Sequence, residues 1–216
     1  METEVETTIS SETILRWLQL CAKTFEEHKD ELTELDAAIG DADHGANMAR
    51  GFSAVRGKLP SLEGKDIGVI FKTTAMTLIS TVGGASGPLY GTFFLQAATG
   101  AAGKMNLTQP ELVAAFQAGL QGLMKRGKAV PGEKTMVDAL VPAVEALQPQ
   151  ESDSLFQALA RATAAAGKGA DATLPLVAKK GRASYLGERS AGHRDPGAVS
   201  TTLLFGALQE ALHSTM

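Results

Sequence analysis

With 216 residues, the chain can bury one sizeable hydrophobic core and is too short for more than two small ones. Its formal net charge of −4 argues against a nucleic-acid backbone as a direct partner. A single cysteine, Cys21, excludes an internal disulfide and fits a reducing, cytoplasmic setting. The N-terminal Met-Glu-Thr-Glu-Val-Glu is acidic and polar, the reverse of a secretory signal.

Apolar residues recur at helical spacing almost throughout, which predicts an all-α, single-domain chain over 1–216. The first helix is expected over 11–38, with the stripe Ile14, Trp17, Leu18, Cys21 and Phe25 and a break point near Lys29. Helices over 45–59, 66–82 and 87–102 follow. The segment from Thr73 to Gly103 has no charged residue and is long enough to span a bilayer, yet it holds six glycines and Pro88. It therefore reads as two buried helices joined by a glycine turn, with no membrane span. The next helix, over 108–126, repeats the stripe in Val113, Phe116, Leu120 and Leu123, and Thr108 with Glu111 forms a capping-box pattern. Ser11 is the corresponding cap expected for the first helix. Further helices are expected over 135–148, 153–168, 171–179 and 197–213. No run alternates as a strand would. Short connections make successive helices antiparallel, as in an up-and-down bundle. Three turns, 40–45, 82–91 and 181–197, are rich in glycine or charge, and such loops on a rigid scaffold carry function.

Chemistry concentrates first in Asp36, Asp41 and Asp43, three carboxylates within eight residues and with no Lys or Arg between Glu34 and Arg50. Bringing them together costs stability unless a counter-charge arrives. Hard divalent cations take such oxygen ligands, and Mg²⁺ usually brings substrate phosphates with it. An EF-hand starting at Asp41 fails, because Gly45 fills its fifth position and Phe52 its twelfth. The helix that Gly45 opens places His44 and the amides of Ala46 and Asn47 at a helix N-terminus, a natural anion site. Taken alone, Asn47 reads as an ordinary early-helix residue and His44 as an exposed turn histidine; next to a metal cluster, phosphate contact weighs equally. Thr81-Val-Gly-Gly-Ala-Ser-Gly-Pro-Leu-Tyr-Gly91 suits either a second anion cradle or a tight helix corner. Gly127-Lys-Ala-Val-Pro-Gly-Glu-Lys-Thr135 looks like a Walker A motif, but Glu133 separates its second glycine from the lysine and no strand precedes it. The stretch from Lys179 to Gly197 carries five basic residues plus His193, as a solvated loop or as a phosphate clamp.

Together these blocks resemble the nucleotide-binding subunits of dihydroxyacetone kinase, the DhaL family. Gly40-Asp-Ala-Asp-His-Gly45, the 81–91 turn, Arg126 to Met136 and Gly181 to Ser190 all look like that family's blocks, in the same order. The resemblance implies a barrel of eight antiparallel helices with ADP or ATP at one end. It implies two Mg²⁺ on Asp36, Asp41 and Asp43. It assigns nucleotide contacts to His44, Gly45, Ala46 and Asn47, to Gly84, Ala85 and Ser86, and an adenine pocket to Gly127 and Met136. Arg182 and Asp195-Pro196-Gly197 would belong to a closing loop. The detailed likeness is to the branch in which ADP stays bound, is rephosphorylated by a phosphohistidine of a phosphotransferase-system subunit, and serves a separate dihydroxyacetone-binding subunit. The other branch uses freely exchanging ATP. Family members also report to a transcriptional regulator.

Overall fold

The computed structural model describes residues 8–151 and 153–213; the acidic N-terminal segment lies outside them. In chain order the elements are β1 (Thr8–Ser10), α1 (Ser11–Glu27), α2 (Lys29–Ile39), α3 (His44–Arg56), a 3₁₀ turn (Leu59–Leu62), α4 (Ile67–Thr81) and α5 (Ser86–Gly100). Then come β2 (Asn106–Thr108), α6 (Gln109–Gly127), α7 (Val137–Ala146), α8 (Leu155–Ala172), a 3₁₀ segment (Arg182–Ser190) and α9 (Pro196–His213).

Packing runs from α1 to α3, then through α4, α5, α6, α7, α8 and α9 in turn, and back from α9 to α1. Eight helices thus close into a barrel, while α2 stands outside the ring against α3, α9 and the 182–190 segment. Neighbours run antiparallel, as cross-helix contacts show. Gly68 meets Ala102 while Gly87 meets Val82 across α4 and α5, and Gly167 faces Thr202 while Gly206 faces Thr163 across α8 and α9. Likewise Arg161 reaches the Ala146 carbonyl while Gly169 lies on Asp138 across α7 and α8.

The barrel is filled by aromatic rings. Trp17, Phe71, Phe93, Phe94, Phe116 and Phe205 are each at most 1% exposed, and Trp17 lies 5.6 Å from Phe94 and 5.9 Å from Phe116. Burying such rings supplies much of the driving force for closure. Trp17 also donates its indole N–H to the Leu204 carbonyl at 2.9 Å, tying α1 to α9 where the ring closes. Among the described residues no helix is long and apolar enough to cross a membrane, in keeping with the reading of Thr73–Gly103 as two buried helices.

Three details differ from the sequence expectations. The first helix does break beside Lys29 as expected, at His28, leaving two helices. Its cap is Ser10 rather than Ser11; Ser10 Oγ accepts the Thr13 N–H at 3.2 Å. No helix spans 171–179, because α8 runs on to Ala172 and Pro175 then offers no N–H and disfavours helix at Leu174. A two-stranded antiparallel pair joins Thr8–Ser10 to Asn106–Thr108, too short for alternation to register. The Thr108–Glu111 capping box forms as expected, with Lys104 and the Thr108 N–H holding the Glu111 carboxyl down at about 2.

Candidate functional site

The acidic turn is built by α2 approaching α3 closely. A side chain at Gly45 would lie 1.9 Å from the Lys29 carbonyl oxygen, so only glycine lets α3 start there. That contact brings Asp36, on the last turn of α2, under the first amides of α3. Asp36 is 8% exposed, and its Oδ2 accepts the N–H groups of Asp43 (2.8 Å) and His44 (3.1 Å). Ala42, in the left-handed region at φ 60°, reverses the chain between Asp41 and Asp43. As a result, one carboxylate oxygen from each of Asp36, Asp41 and Asp43 lies within 4.8 Å of the others.

Arg182 reaches over from the 182–190 segment to pair with Asp41 at 3.0 Å. One guanidinium does not neutralise three carboxylates. The donor set is oxygen throughout, and both ring nitrogens of His44 are committed elsewhere. This arrangement fits a hard divalent cation such as Mg²⁺ and not a soft one.

His44 is buried between two hydroxyls. Nδ1 lies 3.1 Å from Ser86 Oγ and Nε2 lies 3.0 Å from Ser200 Oγ, while Tyr90 and Thr201 extend the network. Burial lowers the imidazole pKa, outweighing the nearby Asp36 and Asp43 carboxylates, and so favours the neutral ring. Burial likewise raises the Tyr90 phenol. The expectation of free amides at Ala46 and Asn47 shifts by one residue. Asn47 N–H is already taken by the Asp43 carbonyl at 2.8 Å, leaving Gly45 and Ala46 as the open pair among the described residues.

A cavity of about 350 Å³ opens beside this turn. It is lined by Asp36, Asp41, Asp43, His44, Gly84, Ala85, Ser86, Gly127, Met136, Arg182, Asp195, Pro196 and Gly197, all singled out from the sequence. Gly45, Ala46 and Asn47 sit behind the wall in the first turn of α3 and do not line it. The glycines of the 81–91 turn divide by placement. Gly83 and Gly84 face the cavity, whereas Gly87 and Gly91 let α5 pack on α4, where a side chain would come within 2.3 Å of Val82 O and Ile79 Cγ1 respectively. Across the ring from the acidic turn, Leu123, Ala129, Met136 and Val137 supply an apolar wall.

Lys134, from the loop that mimics a Walker motif, is the residue with no sequence signal. It is 1% exposed at φ 61°, and its Nζ donates to the carbonyls of Thr173 (2.7 Å) and His193. It thereby pins both ends of the segment that carries Arg182. Burial pulls its pKa down, and Asp195 and Asp138 pull it back up.

Asp195 caps α9 by accepting the Ala198 N–H at 2.7 Å. Burial lifts its carboxyl from 3.8 to about 7, with the Ala198 N–H and Lys134 opposing and Asp138 assisting. The folded chain therefore holds a proton that the unfolded chain releases near its ordinary value of 3.8. Stability from this group falls as pH rises from about 4 to about 7 and is level above that. Asp195→Asn should remove this slope. In metal- and nucleotide-free protein, the variant's urea midpoint should gain on the native one across that window; a constant difference would contradict the burial argument.

The DAK2 domain family matches residues 38–210. The ADP-binding subunit DhaL of a PEP-dependent dihydroxyacetone kinase from Escherichia coli is 50% identical over 202 residues, covering 93% of this chain and 96% of that one. The ADP-binding subunit DhaL of a PTS-dependent dihydroxyacetone kinase from Lactococcus lactis is 44% identical over 206 residues, covering 94% and 99%. A crystal structure of the dihydroxyacetone kinase from C. freundii, in complex with AMP-PNP and Mg²⁺, superposes with a TM-score of 0.71 at 28% identity. It covers 97% of this chain, which spans 36% of that larger kinase. Fold, motif order and sequence identity agree: the chain belongs to the DhaL group of the DAK2 domain family.

Proposed function

We propose that this chain is the cytoplasmic, single-domain ADP-binding subunit of a phosphoenolpyruvate-dependent dihydroxyacetone kinase. The observation that carries this reading is one cavity with a carboxylate trio and the glycine turn of Gly83 and Gly84 on one side and an apolar wall on the other. ADP with two Mg²⁺ would supply the phosphoryl carrier, its β-phosphate accepting from a partner's phosphohistidine and the new γ-phosphoryl passing to a hydroxyl of dihydroxyacetone on a separate subunit.

Asp36, Asp41 and Asp43 hold the cations. Asp36 is fixed by two backbone N–H groups and so presents its remaining oxygen without reorganisation. Gly84, Ala85 and Ser86 face the phosphates, and the start of α3, with the amides of Gly45 and Ala46 and with Asn47, favours the negative charge from behind the cavity wall. His44 acts by orienting Ser86 and the start of α9. Gly127 and Met136 take the adenine, and Asp195-Pro196-Gly197 sets the wall beneath Arg182. Arg182 exchanges its pairing with Asp41 for phosphate oxygens, which suit a guanidinium equally well. In this reading no side chain of the chain forms a covalent intermediate, and its contribution is alignment and charge.

Reconstitution with the substrate-binding subunit tests this. Turnover is expected with a phosphohistidine donor and only catalytic amounts of nucleotide, whereas free ATP alone should not sustain it. Full turnover on free ATP would assign the chain to the ATP-exchanging branch instead. A pull-down comparing ADP- and ATP-loaded protein reads out any contact with a transcriptional regulator.

A further inference from the structure

We infer that Arg50, outside the cavity, is a positioning residue for phosphate binding, fixing which way the Asn47 amide faces. This rests on the assignment of phosphates to the start of α3. Arg50 lies one turn after Asn47 on α3 and is exposed. Its Nε donates to the Thr81 carbonyl at 3.0 Å, at the last residue of α4, and its Nη2 donates to Asn47 Oδ1.

A guanidinium has donors only, so the atom of Asn47 that meets it must be the carbonyl oxygen. The Asn47 amide could otherwise flip at little cost. Held by Arg50, it keeps Nδ2 as its free end. Asn47 as a residue is 5% exposed, and its side chain's bond runs through Oδ1, with no acceptor among the described residues given to the N–H₂ group. That N–H₂ group is thus the open donor of the amide, free to complete a hydrogen bond to an anionic ligand.

The amide lies against Gly83, where a side chain would come within 3.0 Å of Oδ1 and 3.2 Å of Nδ2. Gly83 itself lines the cavity and begins the turn that carries Gly84, Ala85 and Ser86. By gripping Thr81 O and Asn47 Oδ1 at once, Arg50 sets the turn and the donor that faces it in a single register. Lysine has one nitrogen and cannot span both acceptors in this fork geometry.

A double-mutant cycle on ADP affinity in the presence of Mg²⁺ tests the inference. Arg50→Met should weaken ADP binding about tenfold, and Asn47→Ala by at least as much. In the Asn47→Ala background, Arg50→Met should cost no more than about twofold, because its target is already gone. Arg50→Lys should fall with Arg50→Met, and it supplies the same comparison if Arg50→Met folds poorly. Additive effects of the two substitutions, or native affinity in Arg50→Lys, would overturn the inference in favour of a bare surface charge. Native protein that binds no ADP at all would sink the functional reading and this one with it. Native binding with additive variants would sink only this one.

Discussion

Asp41→Asn is expected to abolish kinase activity in the reconstituted system, a loss of at least about 100-fold, while helical content stays native. The asymmetry follows from where the carboxylate sits. Its side chain is about one-third exposed and is not part of the core, and its ion pair is with an Arg182 side chain that is 65% exposed. Such a pair contributes about 1 kcal/mol at most. Removing one of three mutually repelling carboxylates returns some of that loss in the metal-free protein. Folding therefore barely notices the change, but a cation held by three anionic oxygens loses a ligand. Circular dichroism and the phosphotransfer assay, read side by side, check both halves. Full activity in this variant would remove the metal assignment.

The second large effect concerns stability. Lys134→Met should cost about 1–3 kcal/mol, because it takes the ammonium donor from the His193 carbonyl and from the buried Thr173 carbonyl, which keeps only the Leu176 N–H. It also deprives Asp195 of a positive charge that holds its carboxyl down, pushing that carboxyl further up. The stem length of Met is close to that of Lys, so the cost reflects lost polar contacts rather than a cavity. The damage is expected to be local as well as global. Amide exchange should quicken between Leu174 and His193, the stretch whose ends this ammonium joins alongside the Gly192 N–H to Leu174 O and Asp195 N–H to Thr173 Oγ1 bonds, and bound ADP should leave faster. An unchanged urea midpoint with unchanged exchange in that stretch would contradict the pinning role.

The residues of the site were readable before the fold because their types are unusual where they stand. Three aspartates without a nearby cation, a glycine-rich turn opening a helix, and a basic stretch interrupted by glycine each have a chemical reason to exist. The helices were readable from apolar periodicity, and the Thr108–Glu111 box from spacing alone. What could not be read is what depends on long-range packing. Closure of the barrel rests on α1 meeting α9, residues nearly a whole chain apart, and nothing local encodes that contact. The expected helix over 171–179 continued an alanine-rich pattern past a point where Pro175 stops it. Lys134 looks like any loop lysine until the 173–193 carbonyls close around it. His44 looks like an exposed turn residue until Ser86 and Ser200 bracket its ring. The shift of the open amides to Gly45 and Ala46 turns on a single turn of backbone geometry at Asp43.

Native mass spectrometry of the purified protein, equilibrated with ADP in the presence and absence of Mg²⁺, addresses the role of the acidic turn most directly. With Mg²⁺ the protein should carry one ADP and two magnesium ions, and chelation should strip nucleotide and metal together. An ADP adduct indifferent to magnesium, or no adduct at any concentration of either, would show that Asp36, Asp41 and Asp43 serve some other purpose.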